Sequence, residues 1–392
     1  MDHPVWLPEG VGARERAEYL KAAVLAAEWY TNNQNTDERP WGVVRDSADH
    51  GRFVYEYYPT RRWARGNGVW GQATGMMGLL GLHMRTGRGV YKESALLAAD
   101  YLRSLQIWDP TQPQAHGGFR EHTPQTTWGF PRDGATGAMG LLALYKVLGA
   151  EEDLARARAY ADWFTANALD EGRWPAWTYH FDTRQADWAE PARRGVWQAG
   201  SALLYYQLYR ATGEVKYLEN GAIPLVDRAL PMLEAALEKG SGEYRATAHD
   251  FAVTAFLGVY LATGERRYLD AVRSHLNAVI QSQEPDGRLP GFPGAMSIFT
   301  MTAMDFCRIA HQQNMEIDLA PYVKACHSTA RFLLTLQERE SRDPMAYGGF
   351  YGQSDYGLDR DRIHHRITGY SLIFHVRYEG VQDTPFQSAL GW

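Results

Sequence analysis

Asp133 is the carboxylate in this chain whose setting most resembles that of a working acid. It follows Arg132 directly, where an aromatic, glycine-rich loop, Thr127-Trp128-Gly129-Phe130-Pro131, runs into the small and apolar residues Gly134-Ala135-Thr136-Gly137-Ala138-Met139-Gly140. A carboxyl beside a guanidinium at a helix start can act as a general acid or base if its surroundings tune its proton affinity. The plain structural role of the same residue is a helix N-cap, a frequent use of Asp. His249 and Asp250 precede a later apolar run in the same way. Either could partner Asp133 in proton transfer.

Arginine and tryptophan gather in the same loop-like stretches. Arg65, Arg132 and Arg194 are candidates to hold a carboxylate, since a guanidinium matches one as a two-pronged fork. Trp70, Trp128 and Trp197 are candidates to stack on a sugar ring, with Asn67 as a polar contact. Loop stiffening through cation–π packing is the bland account of the same residues. Arg and Trp together on one face of an acidic protein suggest an acidic sugar as ligand. No His-x-x-x-His or cysteine-rich spacing marks a metal site, and there is no phosphate loop, dinucleotide fingerprint or nucleophile elbow. No cofactor and no metal are therefore expected.

The elements that must position these groups repeat. A helix with one polar face leads through a long aromatic loop into a helix full of Gly, Ala and Leu, which ends at a short Thr-Gly or Leu-Gly signal: Thr86-Gly87, Leu148-Gly149, Thr212-Gly213, Thr263-Gly264. The unit recurs roughly every 45 to 65 residues, about six times. A helix apolar on all sides needs cover all round; one with a polar face needs cover on one side. Six inner helices wrapped by six outer ones satisfy both. This predicts an all-α fold, an (α/α)6 toroid of helical hairpins, spanning 1–392 as one domain. The first and last hairpins carry no polar caps, which favours a closed ring over an open solenoid. The long loops and the inner-helix N-termini would then share one mouth, with Asp133 at its rim.

The bulk numbers agree. The chain has 392 residues, 45% hydrophobic and 22% charged, with 13 Trp and 23 Tyr. A formal net charge of −6 argues against nucleic acid as a partner. No apolar run is long enough to span a membrane, and no basic start followed by an apolar stretch marks a secretory signal. Cytoplasmic placement is the expectation, or periplasmic if a signal was removed. Cys307 and Cys326 are read as buried free thiols.

Arg65-Gly66-Asn67-Gly68-Val69-Trp70, the Gly118-Phe119 and Gly349-Phe350 loops and the Asp133 helix start resemble the (α/α)6-toroid carbohydrate-active enzymes, nearest the unsaturated glucuronyl and rhamnogalacturonyl hydrolases and related toroid β-glucuronidases. In the unsaturated hydrolases an Asp at an inner-helix start protonates the double bond of a 4,5-unsaturated uronic acid, and water adds to the resulting cation. The resemblance implies that role for Asp133. The expected activity is therefore removal of a terminal uronic acid, saturated or unsaturated, from an acidic oligosaccharide. A polysaccharide lyase using Tyr244, Arg245 and His249 stays open. So do a sugar epimerase with paired histidines and a glycan-binding toroid without catalysis.

Overall fold

The computed structural model describes residues 12–36, 49–172, 174–188, 195–240, 251–289, 293–352 and 360–379. Within them the helices are α1 (Ala13–Asn33), α2 (Val69–Thr86), α3 (Gly89–Leu105), α4 (Pro131–Leu148), α5 (Glu151–Asn167), α6 (Ala202–Thr212), α7 (Ile223–Lys239), α8 (Ala252–Thr263), α9 (Arg266–Gln281), α10 (Pro293–Gln312), α11 (Ala320–Leu334) and α12 (His365–Glu379). Two kinds alternate. In α2 every residue from Val69 to Leu82 is buried, whereas α9 buries one stripe including Tyr268, Val272, Leu276 and Val279.

The ring closes. The inner helices α2, α4, α6, α8, α10 and α12 each pack on the next, and α12 packs back on α2. The outer helix α1 lies against α12 and α2, so both ends of the chain are covered by each other. An open stack of hairpins is excluded by that contact. Small residues let the inner helices approach closely. A Cβ at Gly140 of α4 would lie 2.9 Å from Ala73 Cβ and 2.8 Å from Met76 Cε of α2.

The two faces of the ring are joined differently. On one face, inner helices end at Gly87, Gly149, Gly213 and Gly264, each with φ between 69° and 74°, and each N–H donates to the carbonyl four residues back. On the other face the long loops are clamped by glutamine. Nε2 of Gln34, Gln106, Gln283 and Gln337, just past α1, α3, α9 and α11, donates to the carbonyls of Gly51, Gly117, Gly287 and Gly348. The same Nε2 also donates to the next outer helix around the ring, at Ser94, Arg156, Ala325 and Ala22. The last of these ties the end of the chain to its start. Each of the four glycines has positive φ, between 87° and 94°. At Gly348 an added Cβ would sit 2.1 Å from the Leu25 carbonyl oxygen. The Gly118-Phe119 and Gly349-Phe350 loops, singled out as marks of carbohydrate enzymes, thus belong to this clamp, and their place in the fold follows from backbone packing.

Two small antiparallel sheets at the mouth were not expected. One has the order β2 (Trp63–Gly66), β1 (Val54–Tyr58), β6 (Ile363–His364); the other is β3 (Trp128–Gly129), β4 (Thr178–His180), β5 (Gln185–Asp187).

The contrast between the two glycine sets is testable. Gly348→Ala meets both a left-handed backbone and a carbonyl wall, and should cost about 2–5 kcal/mol. Gly87→Ala has nothing within 4 Å of the new methyl and should cost only about 1–2 kcal/mol. Denaturant midpoints of the two variants check the order; equal losses would contradict it.

Candidate active site

At the long-loop mouth lies a cavity of about 350 Å³. Arg65, Asn67, Trp70 and Asp133, all singled out in the sequence, line it, with Arg52, Tyr55, Glu121, His122, Phe130 and Arg366. The walls come from strands β1 and β2, from the loop that carries Glu121 and His122, and from the starts of α2, α4 and α12.

Asp133 is not the N-cap of α4; Phe130 is, without a side-chain bond. Pro131 starts the helix, which puts Asp133 in the first turn, where the helix dipole favours negative charge. Arg132 Nη1 donates to its Oδ1 at 2.9 Å. The important neighbour was missed in the sequence. Glu121 is buried, and the Asp133 carboxylate lies beside it. The backbone brings them together: Val69 N–H donates to the Glu121 carbonyl, Glu121 N–H to the Trp128 carbonyl, and Phe130 N–H to Glu121 Oε2 at 3.2 Å. Burial, and then the adjoining Asp133 charge, push the Glu121 carboxyl well above the usual carboxylate range. Glu121 therefore holds its proton to higher pH than an ordinary carboxyl does. Glu121 stands beside His122 in an ordinary polar loop, and only its contact twelve positions on, at Asp133, marks it out.

Cations dominate the rest of the wall. Arg52 donates to the Asn67 carbonyl at 2.8 Å and pairs with Asp49 at 2.9 Å. Arg65 pairs with the buried Glu56 at 3.0 Å, which Arg362 also grips from the far side. Arg366 lies 4.4 Å over the ring of Trp70, whose Nε1 donates to the Tyr370 hydroxyl at 2.6 Å. His122 is kept from protonating by the protein around its ring, and then by Arg52 and Arg65. Arg52 and Arg65 are each paired with a carboxylate outside the cavity lining, and Arg366 adds a third guanidinium at the wall, so an anion is favoured there.

Below this wall sit polar atoms with nothing to bond. Asn67 Nδ2 and both ring nitrogens of His365 are fully buried and without a hydrogen-bond partner in the structure. A Cβ on Gly71 would touch both side chains, 2.0 Å from Asn67 Oδ1 and 2.3 Å from His365 Cε1. Burial, then the charges of Arg366, Arg362 and Arg65, holds the His365 ring neutral. Buried polar atoms normally find partners, so this corner suits ligand hydroxyls or ordered water.

The other candidates fall elsewhere. Arg132 is buried behind Asp133, 5.9 Å from the Trp70 ring and 6.0 Å from that of Phe251. Trp128 stands one layer back, edge-on to His122 and Phe130. Trp197 lies away from the cavity lining, against Trp177. His249, Asp250 and Arg194 lie outside the described residues, as do Tyr244 and Arg245. No group of three metal-ligating side chains is found among the described residues, and no helix among them is long and apolar enough to cross a membrane.

No protein-family model matches the chain, and no curated protein matches it by sequence. Solved structures do. The chain is similar to cellobiose 2-epimerase from Spirochaeta thermophila, with TM-score 0.62 and 15% identity, over 94% of this chain and 99% of that one. It is similar to an unsaturated glucuronyl hydrolase from Bacillus sp. GL1, with TM-score 0.63 and 14% identity, over 95% and 100%. A D-mannose isomerase gives TM-score 0.66 at 11% identity, over 97% and 100%. The fold is the (α/α)6 toroid. Hydrolases, epimerases and isomerases all share it, so the choice among chemistries falls to the site.

Glu121→Gln tests the raised proton affinity of Glu121. A carboxyl with a raised folded pKa stabilises the fold below the ordinary glutamate range, about pH 4, and that contribution is lost as pH rises toward the folded pKa. The neutral variant should melt with the wild type near pH 4 and above it at neutral pH. A variant that melts below the wild type at neutral pH would mean that Glu121 is held ionised.

Proposed function

We propose that this toroid is a glycoside hydrolase that removes a terminal uronic acid, in its 4,5-unsaturated form, from an acidic oligosaccharide. The observation that carries this reading is the placing of the Asp133 and buried Glu121 carboxyls side by side on the wall of a cavity that Arg52, Arg65 and Arg366 also line.

The closeness of the two carboxyls supports the unsaturated uronide over the saturated one. Cleavage of a saturated glycoside by two carboxyls needs them on opposite sides of the bond, about 5–9 Å apart. Glu121 and Asp133 are neighbours on one wall of the cavity, and we read them as one acid. A single acid suits a double bond conjugated with the ring oxygen. Asp133, with the Glu121 carboxyl beside it, gives a proton to C4; the cation at C5 is shared with the ring oxygen. The carboxylate then takes a proton from water as its oxygen bonds to C5. The hemiketal opens to the ketone, and the hemiacetal left at C1 releases the rest of the chain. Arg52, Arg65 and Arg366 are placed to receive the uronate carboxylate, Trp70 to face the ring, and Asn67 and His365 to take its hydroxyls.

Asp133→Asn should lower turnover of unsaturated oligouronides by about 10²- to 10⁴-fold with little change in KM, read as loss of the enone absorbance. Unaltered turnover would remove Asp133 from the mechanism.

One observation favours a second reading. The neutral, unpartnered ring of His365, with His364 beside it, suits proton shuttling at a sugar carbon, as in epimerisation or isomerisation. Incubating free aldoses with the enzyme in deuterium oxide separates the two. The hydrolase reading predicts no deuterium at C2; incorporation there, with unsaturated uronides untouched, would replace it.

A further inference from the structure

A cavity of about 350 Å³ is at the small end of ligand sites, which run from about 300 to 1,000 Å³. It has room for the terminal sugar and little more. The rest of an oligosaccharide must lie outside, across one of the two sheets that flank the opening.

The two sides differ. On the β1–β2 hairpin, Trp63 is 49% exposed and lies 5.7 Å from the Tyr58 ring, but guanidiniums crowd it. Arg61 and Arg362 both lie over Tyr58, at 5.2 Å and 5.7 Å, and Arg65 is bonded to Glu56. On the other side a row of rings leads away from the cavity. Phe130 lines it; Trp177 meets Phe130 edge-on at 6.3 Å, and Trp197 meets Trp177 edge-on at 5.4 Å. Trp177 leaves 41% of its surface open. Its backbone is anchored on the sheet, since the main-chain N–H donates to the Asp187 carbonyl of β5 at 2.8 Å, and its ring is held between Phe130 and Trp197. A fixed indole, open on one side and continuous with a ligand cavity, presents a flat apolar surface, which the C–H faces of sugar rings fit.

We infer that the Phe130–Trp177–Trp197 row binds the sugar units next to the terminal uronate, so that the substrate is a chain of several units entering end-on. The inference rests on the reading of the cavity as a uronate site. The charged end sits among the guanidiniums, and the remainder of the chain runs over the indoles rather than over Trp63.

The test is calorimetric binding of unsaturated chondroitin disaccharide and tetrasaccharide to the wild type, Trp177→Ala, Trp177→Phe and Trp63→Ala, with turnover followed in parallel. Both tryptophans are open enough for removal to leave folding intact, and melting curves check this. The wild type should bind the tetrasaccharide more tightly than the disaccharide. Trp177→Ala should weaken tetrasaccharide binding roughly 3- to 10-fold and leave the disaccharide unchanged. Trp177→Phe should restore most of the loss, and Trp63→Ala should leave the ratio between lengths unaltered. Equal effects of Trp177→Ala on both lengths, no effect, or a length-dependent loss in Trp63→Ala instead would overturn the inference. Length-dependent binding without loss of the enone band would sink the hydrolase reading alone. Enone loss that ignores length in Trp177→Ala would sink this inference alone, and absence of binding at either length would overturn both.

Discussion

A buried carboxyl with a second carboxyl beside it resists ionisation. Everything at the mouth of this ring is arranged around that constraint on Glu121 and Asp133. The loop after α3 is sewn to the starts of α2 and α4 by backbone bonds through Val69, Glu121, Trp128 and Phe130, so Glu121 cannot swing out to solvent. Asp133 stays in the first turn of α4, against Arg132 and the positive end of the helix. The result is a fixed acid with one open face, set opposite arginines that offer an anion its place.

The ring makes this possible by dividing labour between its faces. Short glycine caps end α2, α4, α6 and α8 on one face. The other face gathers the long loops, and glutamine clamps join four of them, those after α1, α3, α9 and α11, to the neighbouring hairpin. A clamp uses both donors of one buried amide on two carbonyls, and it works only because a glycine at positive φ lets the loop lie against a helix backbone. The loops are therefore part of the scaffold, and residues far apart in sequence, such as Arg52 of the first loop and Arg366 of the last helix, meet at one wall.

Much of this was legible before any coordinates. Helices of 11 to 18 residues carry a strong pattern of apolar and small side chains, and the Thr-Gly signals mark their ends. Closure could be argued from missing polar caps at the ends. The small sheets were not legible, because strands such as Trp128–Gly129 and Ile363–His364 are too short to show alternation. At the site, a carboxyl beside a guanidinium at a helix start was enough to find Asp133. Arg132 and Trp128, adjacent to it in sequence, fall behind the wall because helix and strand geometry turn them away. Glu121, Tyr55 and Arg52 belong to the wall through tertiary contacts that no local pattern encodes. The glycine–phenylalanine loops show the opposite failure: the motif was visible, and its meaning was packing.

Infrared titration of the protein, with the side-chain carboxyls of glutamate labelled with carbon-13, tests the central claim most directly. The account predicts one labelled carbonyl band of a protonated acid persisting at neutral pH, well above the ordinary glutamate range, and absent in Glu121→Gln. Complete ionisation of every labelled carboxyl within the ordinary range would contradict it.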